Sequence, residues 1–192
     1  SYGWVGEQQS RGETTTPTLR EIAINVHEIY AQPAATQTAL DDSVFDVESW
    51  LAEEVSISFA EAEGAAFISG DGVNKPRGIL SYPKVANGSY AWGKLGFTVT
   101  GHASAFIAPS SSASPADCLV DLYYSLKEGY RNGASWLTSD AVLGTIRKMK
   151  DGDGNYLWAP PTAAADVPTI LQKPVRTDDN MEALGAGKFP VA

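Results

Sequence analysis

The stretch "FISGDGVNKPRGIL", Phe67 to Leu80, decides how this chain is read. It sets three glycines, a proline, a lysine and an arginine behind a long apolar-periodic segment. Two readings compete, a phosphate cradle and a sharp turn at a helix exit. A Walker-type loop needs Gly-x-x-x-x-Gly-Lys-Ser/Thr between a strand and a helix, so that helix N-terminal amides face the phosphate. Here Lys75 is followed by Pro76, and the glycines come after the helical pattern. The partly negative, carbonyl end of the helix therefore points at the loop. Proline also removes an amide donor. A dinucleotide fingerprint fails for the same reasons, and turn chemistry is the better account.

Upstream lies the clearest helix. Ser43, followed three residues later by Asp46, resembles a capping box. Phe45, Trp50, Leu51, Val55, Phe59, Ala62, Ala66 and Phe67 recur at helical spacing. Glu48, Glu53, Glu54, Glu61 and Glu63 fill most other directions. A helix over Val44 to Ile68, ended by Gly70 and Gly72, would run about 37 Å. That length suits a spine carried across the molecule. Before it, "LREIAINVHEIYA", Leu19 to Ala31, alternates with period two and predicts a strand with Ile22, Ile24 and Val26 facing the core. Pro33 breaks it. Ser1 to Thr18 is polar and reads as an arm or extended loop.

Downstream, Ser81 to Ser114 reads as turns and short extended pieces. Ser114-Pro115-Ala116-Asp117 starts a second helix with the stripe Leu119, Leu122, Tyr123, Leu126 and Tyr130. "GASWLT" fits a short strand. Ser139 to Lys150 predicts a third helix with Val142, Leu143, Ile146 and Met149 inward, stopped by Gly152. Tyr156-Leu157-Trp158 and "TILQKPV" read as strands. "KFPVA" is apolar and strand-like, and a domain rarely stops inside such a segment. The ending therefore reads as a cut, and the chain as a piece of a longer one.

Bulk properties narrow the function classes. The apolar fraction is 43% and the charged fraction 19%, so the 192-residue chain reads as globular. No apolar run approaches a membrane span, and the N-terminus has no signal-peptide pattern. A net charge of −9 argues against general nucleic-acid binding, which needs a basic footprint. The single cysteine, Cys118, excludes an intrachain disulfide and reads as a small buried residue rather than a nucleophile.

The search for chemistry comes back empty. "DGDGNYLW", Asp151 to Trp158, has Tyr156 where a calcium loop needs glycine and Thr162 where it needs glutamate. His27 and His102 lie far apart, and no zinc-ligand spacing exists. No Gly-x-Ser-x-Gly elbow appears. The acidic pairs Asp41-Asp42, Glu53-Glu54 and Asp178-Asp179 could be imagined as glycosidase carboxylates, but neighbours in a helix point apart. They read as solvated or subunit-facing charges and caps. No catalytic, cofactor or metal residue is assigned. An extended arm, a long helical spine and a compact mixed lobe suit an assembly protein better than an enzyme.

Ser43 to Leu80 then resembles the major capsid proteins of tailed bacteriophages and prophages with the Hong Kong ninety-seven fold. Glu63, Ala66, Phe67, Gly70, Gly72, Pro76, Gly78, Ile79 and Leu80 occupy the places of that family's "E-x-x-A-F-x-x-G-x-G-x-x-x-P-x-G-I-L". "EIYAQPAATQTALDDS" resembles its lead-in, "ADCLVDLYYSLKEGYRNGASWLTSDAVLGTIRKMKDGDGNYLW" its axial-domain helices and strand, and "LQKPVRTDDNMEALGAGKFPVA" the segment before its C-terminal strands. The resemblance implies an α+β fold. Residues 1–18 would belong to an extended loop reaching over a neighbouring subunit. Residues 19–80 would form a peripheral domain with a spine helix at about 44–68, and residues 81–192 a mixed α/β axial domain. Gly70, Gly72, Pro76 and Gly78 would form the turn from spine to axial domain.

The resemblance further implies a structural protein of the virion, made in the bacterial host cytoplasm. Its partners would be copies of itself, as hexamers and pentamers of an icosahedral shell, and double-stranded DNA enclosed without sequence-specific binding. Scaffold, protease and portal proteins are further expected partners, and a membrane is not. An encapsulin-like nanocompartment shell is the alternative on the same fold, and a carboxylate-based hydrolase the alternative of a different class. The family's N-terminal arm and C-terminal strands have no counterpart here. The chain is therefore expected not to close shells alone, and electron microscopy showing closed particles would overturn that. The family's lysine–asparagine crosslink cannot be matched to positions here.

Overall fold

A computed structural model describes residues 23–36, 46–110, 112–158 and 168–192, with single residues at 13, 16, 19, 21, 38 and 43. Helix α1 spans Val47–Ser69. It starts at Asp46 rather than Ser43. The Asp46 carboxylate accepts from the Glu48 and Ser49 amides at 3.1 and 3.2 Å and from the Ser49 hydroxyl at 2.7 Å. Those are donors that a helix start leaves unsatisfied. The Ser49 hydroxyl, and then its amide, hold the Asp46 carboxyl below the ordinary range. Val44 and Phe45 lie outside the described residues.

The strand expected over Leu19 to Ala31 is not formed among the described residues. Residues 23–36 carry no regular structure, and Ile24 and Val26 are 82% and 94% exposed instead of facing a core. Alternation alone does not make a strand; a hydrogen-bonded neighbour does, and none of the described strands pairs with this segment. Ile22 lies outside the described residues.

After α1 the chain turns back, and Asp71 bridges Arg77 in antiparallel fashion. Strand β1 (Lys84–Ala86) then pairs in parallel with β2 (Leu95–Phe97), Lys84 opposite Leu95. Next come α2 (Asp117–Ser125), α3 (Glu128–Arg131), β3 (Trp136–Thr138), α4 (Asp140–Arg147), β4 (Thr169–Ile170) and β5 (Lys173–Thr177). β5 lies between β3, parallel to it, and β4, antiparallel. The other edge of β3 is taken by the chain's last residues. Leu137 and Ala192 exchange amide-to-carbonyl bonds of 2.7 and 2.9 Å, so "KFPVA" pairs only at its last two residues, through a single bridge at Val191 and not as a strand.

The core is continuous across these elements. Leu119, Trp136, Val142, Leu143, Ile146, Met149, Ile170 and Val175 form one buried cluster. Its two buried polar side chains on β3 are satisfied. The Trp136 indole donates to the Ile170 carbonyl at 3.0 Å, and the fully buried Thr138 hydroxyl to the Pro190 carbonyl at 2.9 Å. Inward positions of α4 are those its period predicts, although the helix ends at Arg147, well before Gly152.

Three other expectations change. The helix begun near Ser114 breaks after Ser125, where Leu126 turns extended. Arg131 folds back to donate to the carbonyls of Leu126 and Tyr124 at 2.7 and 3.1 Å, with its guanidinium over the Tyr124 ring. A side chain five and seven residues on thus satisfies carbonyls that a continued helix would use. Leu126 and Tyr130 consequently leave the stripe and are 40% and 73% exposed. "TILQKPV" is not one strand but a hairpin, because Leu171 and Gln172 both take positive φ, 49° and 63°. Tyr156 makes a single bridge to Lys150, with no strand over Tyr156–Trp158.

Candidate functional site

The exit from α1 is built by close backbone approach. The Gly70 amide donates to the Ala66 carbonyl, and the Gly70 carbonyl accepts from the Gly78 amide, both at 2.9 Å. The Ser81 hydroxyl donates to the same Gly70 carbonyl at 2.5 Å. A Cβ on Gly78 would stand 2.5 Å from the Ile68 carbonyl carbon and 2.6 Å from the Gly70 nitrogen. One on Gly70 would meet the Pro76 carbonyl oxygen. Only glycine fits at either position. Gly72 has φ 82° and Asn74, which the sequence pattern did not single out, has φ 56°. Asn is the side chain that best tolerates that conformation after glycine. Pro76 sits half-buried between them and Gly78.

This loop is no anion cradle. The Lys75 ammonium stands 3.8 Å from the Asp71 carboxylate inside the loop. The Val73 amide holds the Asp71 carboxyl low, with the Lys75 charge adding to it. Arg77 donates to the Ser81 carbonyl at 3.1 Å and lies over the Tyr82 ring at 4.4 Å. Both cations are spent on turning the chain.

The exit is tied to the core by contacts too distant in sequence to be read there. Lys84 donates to the Leu80 carbonyl at 2.6 Å and lies 4.3 Å from the centre of the Phe189 ring. Glu182 accepts from Lys188 at 2.8 Å and from the Phe189 amide at 2.9 Å. Burial alone would raise the Glu182 carboxyl. The Lys188 and Phe189 hydrogen bonds and the charges of Lys188 and Lys84 outweigh that and hold it low.

Elsewhere the candidate chemistry dissolves. Asp151 Oδ1 accepts from the Asp153 and Asn155 amides at 3.0 and 2.8 Å, which closes a turn and holds the carboxyl low, Asn155 contributing most. No group of three or more His, Cys, Asp or Glu among the described residues could hold a metal. Burial pushes the half-buried Cys118 thiol up, away from a thiolate nucleophile. The carboxyls of Asp46, Asp71, Asp151 and Glu182 are all lowered, opposite to a general acid.

What the described residues offer instead is uncovered apolar surface. Only Val47, Ala66 and Ile68 of the 23 residues in α1 are buried. Leu51, Val55 and Phe59, four apart, form one half-buried line. Trp50 and Ile57, seven apart, form another on the opposite side, 49% and 47% exposed. The sequence reading merged these into one stripe. A helix apolar on two sides suits a place between two partners, and the described residues bury it only at its two ends, Val47 at the start and Ala66 and Ile68 near the finish. Val120, Tyr124, Leu126 and Tyr130 form a second uncovered patch at the α2–α3 corner. A third runs along Ile24 and Val26, whose segment borders a groove with Ala62, Ala66 and Pro76.

Comparisons with known proteins agree with this picture. The model described as "Phage capsid family" matches residues 1–192. No curated protein matches the chain. Among solved structures, the capsid of an empty GTA particle computed with C5 symmetry is 44% identical with a TM-score of 0.86. The capsid of a native GTA particle computed with C5 symmetry is also 44% identical, with a TM-score of 0.88. Each match covers 100% of this chain and 63% of the other, so the chain spans less than two thirds of those relatives' length.

Proposed function

The chain belongs to the phage capsid family, and from that premise we propose that it is a structural head subunit that assembles with copies of itself into an icosahedral shell around double-stranded DNA. The observation that carries this is α1, apolar on two opposite sides and buried by the described residues only at its two ends. Such a helix is costly for a lone subunit and natural for one held between neighbours. The fivefold symmetry with which both similar capsids were computed supports pentamers, and hexamers would complete the shell. On this reading residues 1–18 belong to the extended loop, residues 19–80 to the peripheral domain and residues 81–192 to the axial domain. Gly70, Gly72, Pro76 and Gly78 let the chain pass from one domain to the other.

Enclosed DNA would be held without sequence readout, since a −9 subunit lacks the basic footprint for a tight grip. The chain would act in the virion after synthesis in the host cytoplasm, alongside scaffold, protease and portal proteins. The role is structural, as family membership implies, with no catalytic step. Particles purified from cells that make the full-length protein together with its other head proteins test the reading by mass spectrometry and electron microscopy. The expected result is this chain as the dominant shell component of particles with fivefold vertices. Finding it only as a free monomer overturns the proposal.

A further inference from the structure

The described residues hold two sheets that share no strand pairing, β1 with β2, and β5 between β3 and β4. The irregular segment Glu182–Ala192 reaches from one sheet to the other. On β3 the fully buried Thr138 hydroxyl donates to the Pro190 carbonyl, and Leu137 exchanges bonds with Ala192. On the other sheet the Phe189 ring meets Phe97 of β2 edge-on, with ring centres 5.6 Å apart, and lies 4.3 Å from the Lys84 ammonium of β1. Glu182 closes the segment on itself by accepting from Lys188 and from the Phe189 amide.

Lys84 carries the contact onward. Its ammonium donates to the Leu80 carbonyl at 2.6 Å. The next residue, Ser81, donates through its hydroxyl to the Gly70 carbonyl at the end of α1, and the Gly78 amide donates to the same carbonyl. A chain of direct contacts thus runs from the end of α1 to the edge of β3, and it passes through one cation and one ring. Lys84 and Phe189 are both only half-buried. An apolar groove of about 490 Å³, lined by Phe97, Cys118, Leu122, Phe189 and Val191, borders the segment, β2 and α2. It leaves the segment room to lift. Gly187, at φ 71°, gives the backbone freedom to do so.

We propose that Glu182–Ala192 is a strap that couples the exit of α1 to the edge of β3, with Lys84 on Phe189 as its joint. Seated, the strap holds both places; lifted, it releases both together. Two sites far apart in sequence then open as one unit. Because the strap joins the end of the long helix to the packed core, its state sets how firmly α1 is carried. The strap is independent of the shell reading, since it is tested on dispersed subunits, and either can fail without the other.

The test applies amide hydrogen exchange to the full-length protein carrying Lys84→Met, which keeps the apolar stem and removes the charge. Exchange at the Gly78 and Ala192 amides should speed up together, each about tenfold, while the Leu143 amide of α4 keeps its wild-type rate. Thiol labelling of Cys118, in the groove, should rise several-fold. Lys84→Arg, which keeps a cation over the ring, should stay within about twofold of wild type. Gly78→Ala disturbs the exit alone, yet it should speed the Ala192 amide as well, because coupling is reciprocal. A Lys84→Met protein that loosens Gly78 but leaves Ala192 at its wild-type rate overturns the proposal. So does a Gly78→Ala protein with an unchanged Ala192 amide, or an Arg variant as loose as the Met variant. Equal acceleration at Leu143 would mean that the whole lobe opens, with no separate strap, and would overturn it too.

Discussion

The two halves of the molecule solve the burial problem in opposite ways. The residues around β3, β5 and α4 cover one another, and Val142 and Ile146 are 1% and 2% exposed. α1 leaves Trp50, Ile57 and Phe67 about half exposed. One region is closed over by the described residues, and the other is left partly open by them. A subunit that must exist alone before it assembles needs the first kind of region to fold. It needs the second kind to have a reason to associate.

The sharpest way to break this contrast is to damage each region equally. Ile146→Ala removes buried methylenes from the packed core and should cost about 2–5 kcal/mol, read as a lower urea midpoint for the whole subunit. Gly78→Ala should cost about 1–3 kcal/mol, because the new methyl meets the Ile68 and Gly70 backbone and the exit must shift. Hydrogen exchange at the Gly78 amide should speed up accordingly. A Gly78→Ala protein with unchanged exchange would mean that the exit is not held by that close approach.

Acid should separate the regions next. The Glu182 carboxyl is lowered in the folded chain. Its contribution is present above the ordinary glutamate pKa of about 4.3 and is lost as pH falls through the lower folded value. The segment from Lys188 to Ala192 should therefore loosen at strongly acid pH, and Glu182→Gln should flatten that dependence. Asp46→Ala removes the α1 cap and should lower the melting temperature by roughly 2–4 °C. The smallest effect on the lone subunit belongs to Ile57→Ala, within about 0.5 kcal/mol. Its assembly should nonetheless fall several-fold. Equal losses in stability and assembly would erase the distinction between the two regions.

What was legible in the sequence was local. The long helix shows in its period, the exit in glycines that leave no room for a Cβ, and the inward face of α4 in Val142, Leu143 and Ile146 at helical spacing. What was illegible depends on partners far along the chain or outside it. Ile24 and Val26 alternate like a strand, yet nothing described pairs with them. Arg131 ends a helix whose stripe ran on through Leu126 and Tyr130. Leu171 and Gln172 make a hairpin turn with no glycine, against the usual chemistry of such turns. The apolar positions of α1 look like one stripe until the structure shows which side is covered.

Hydroxyl-radical footprinting of dispersed subunits and assembled particles tests the central claim most directly. Trp136, inside the core, should be protected in both states, while Trp50 and Ile57 should be labelled in the subunit and protected in the particle. Equal labelling of Trp50 and Ile57 in the two states would contradict the claim that neighbouring copies cover α1.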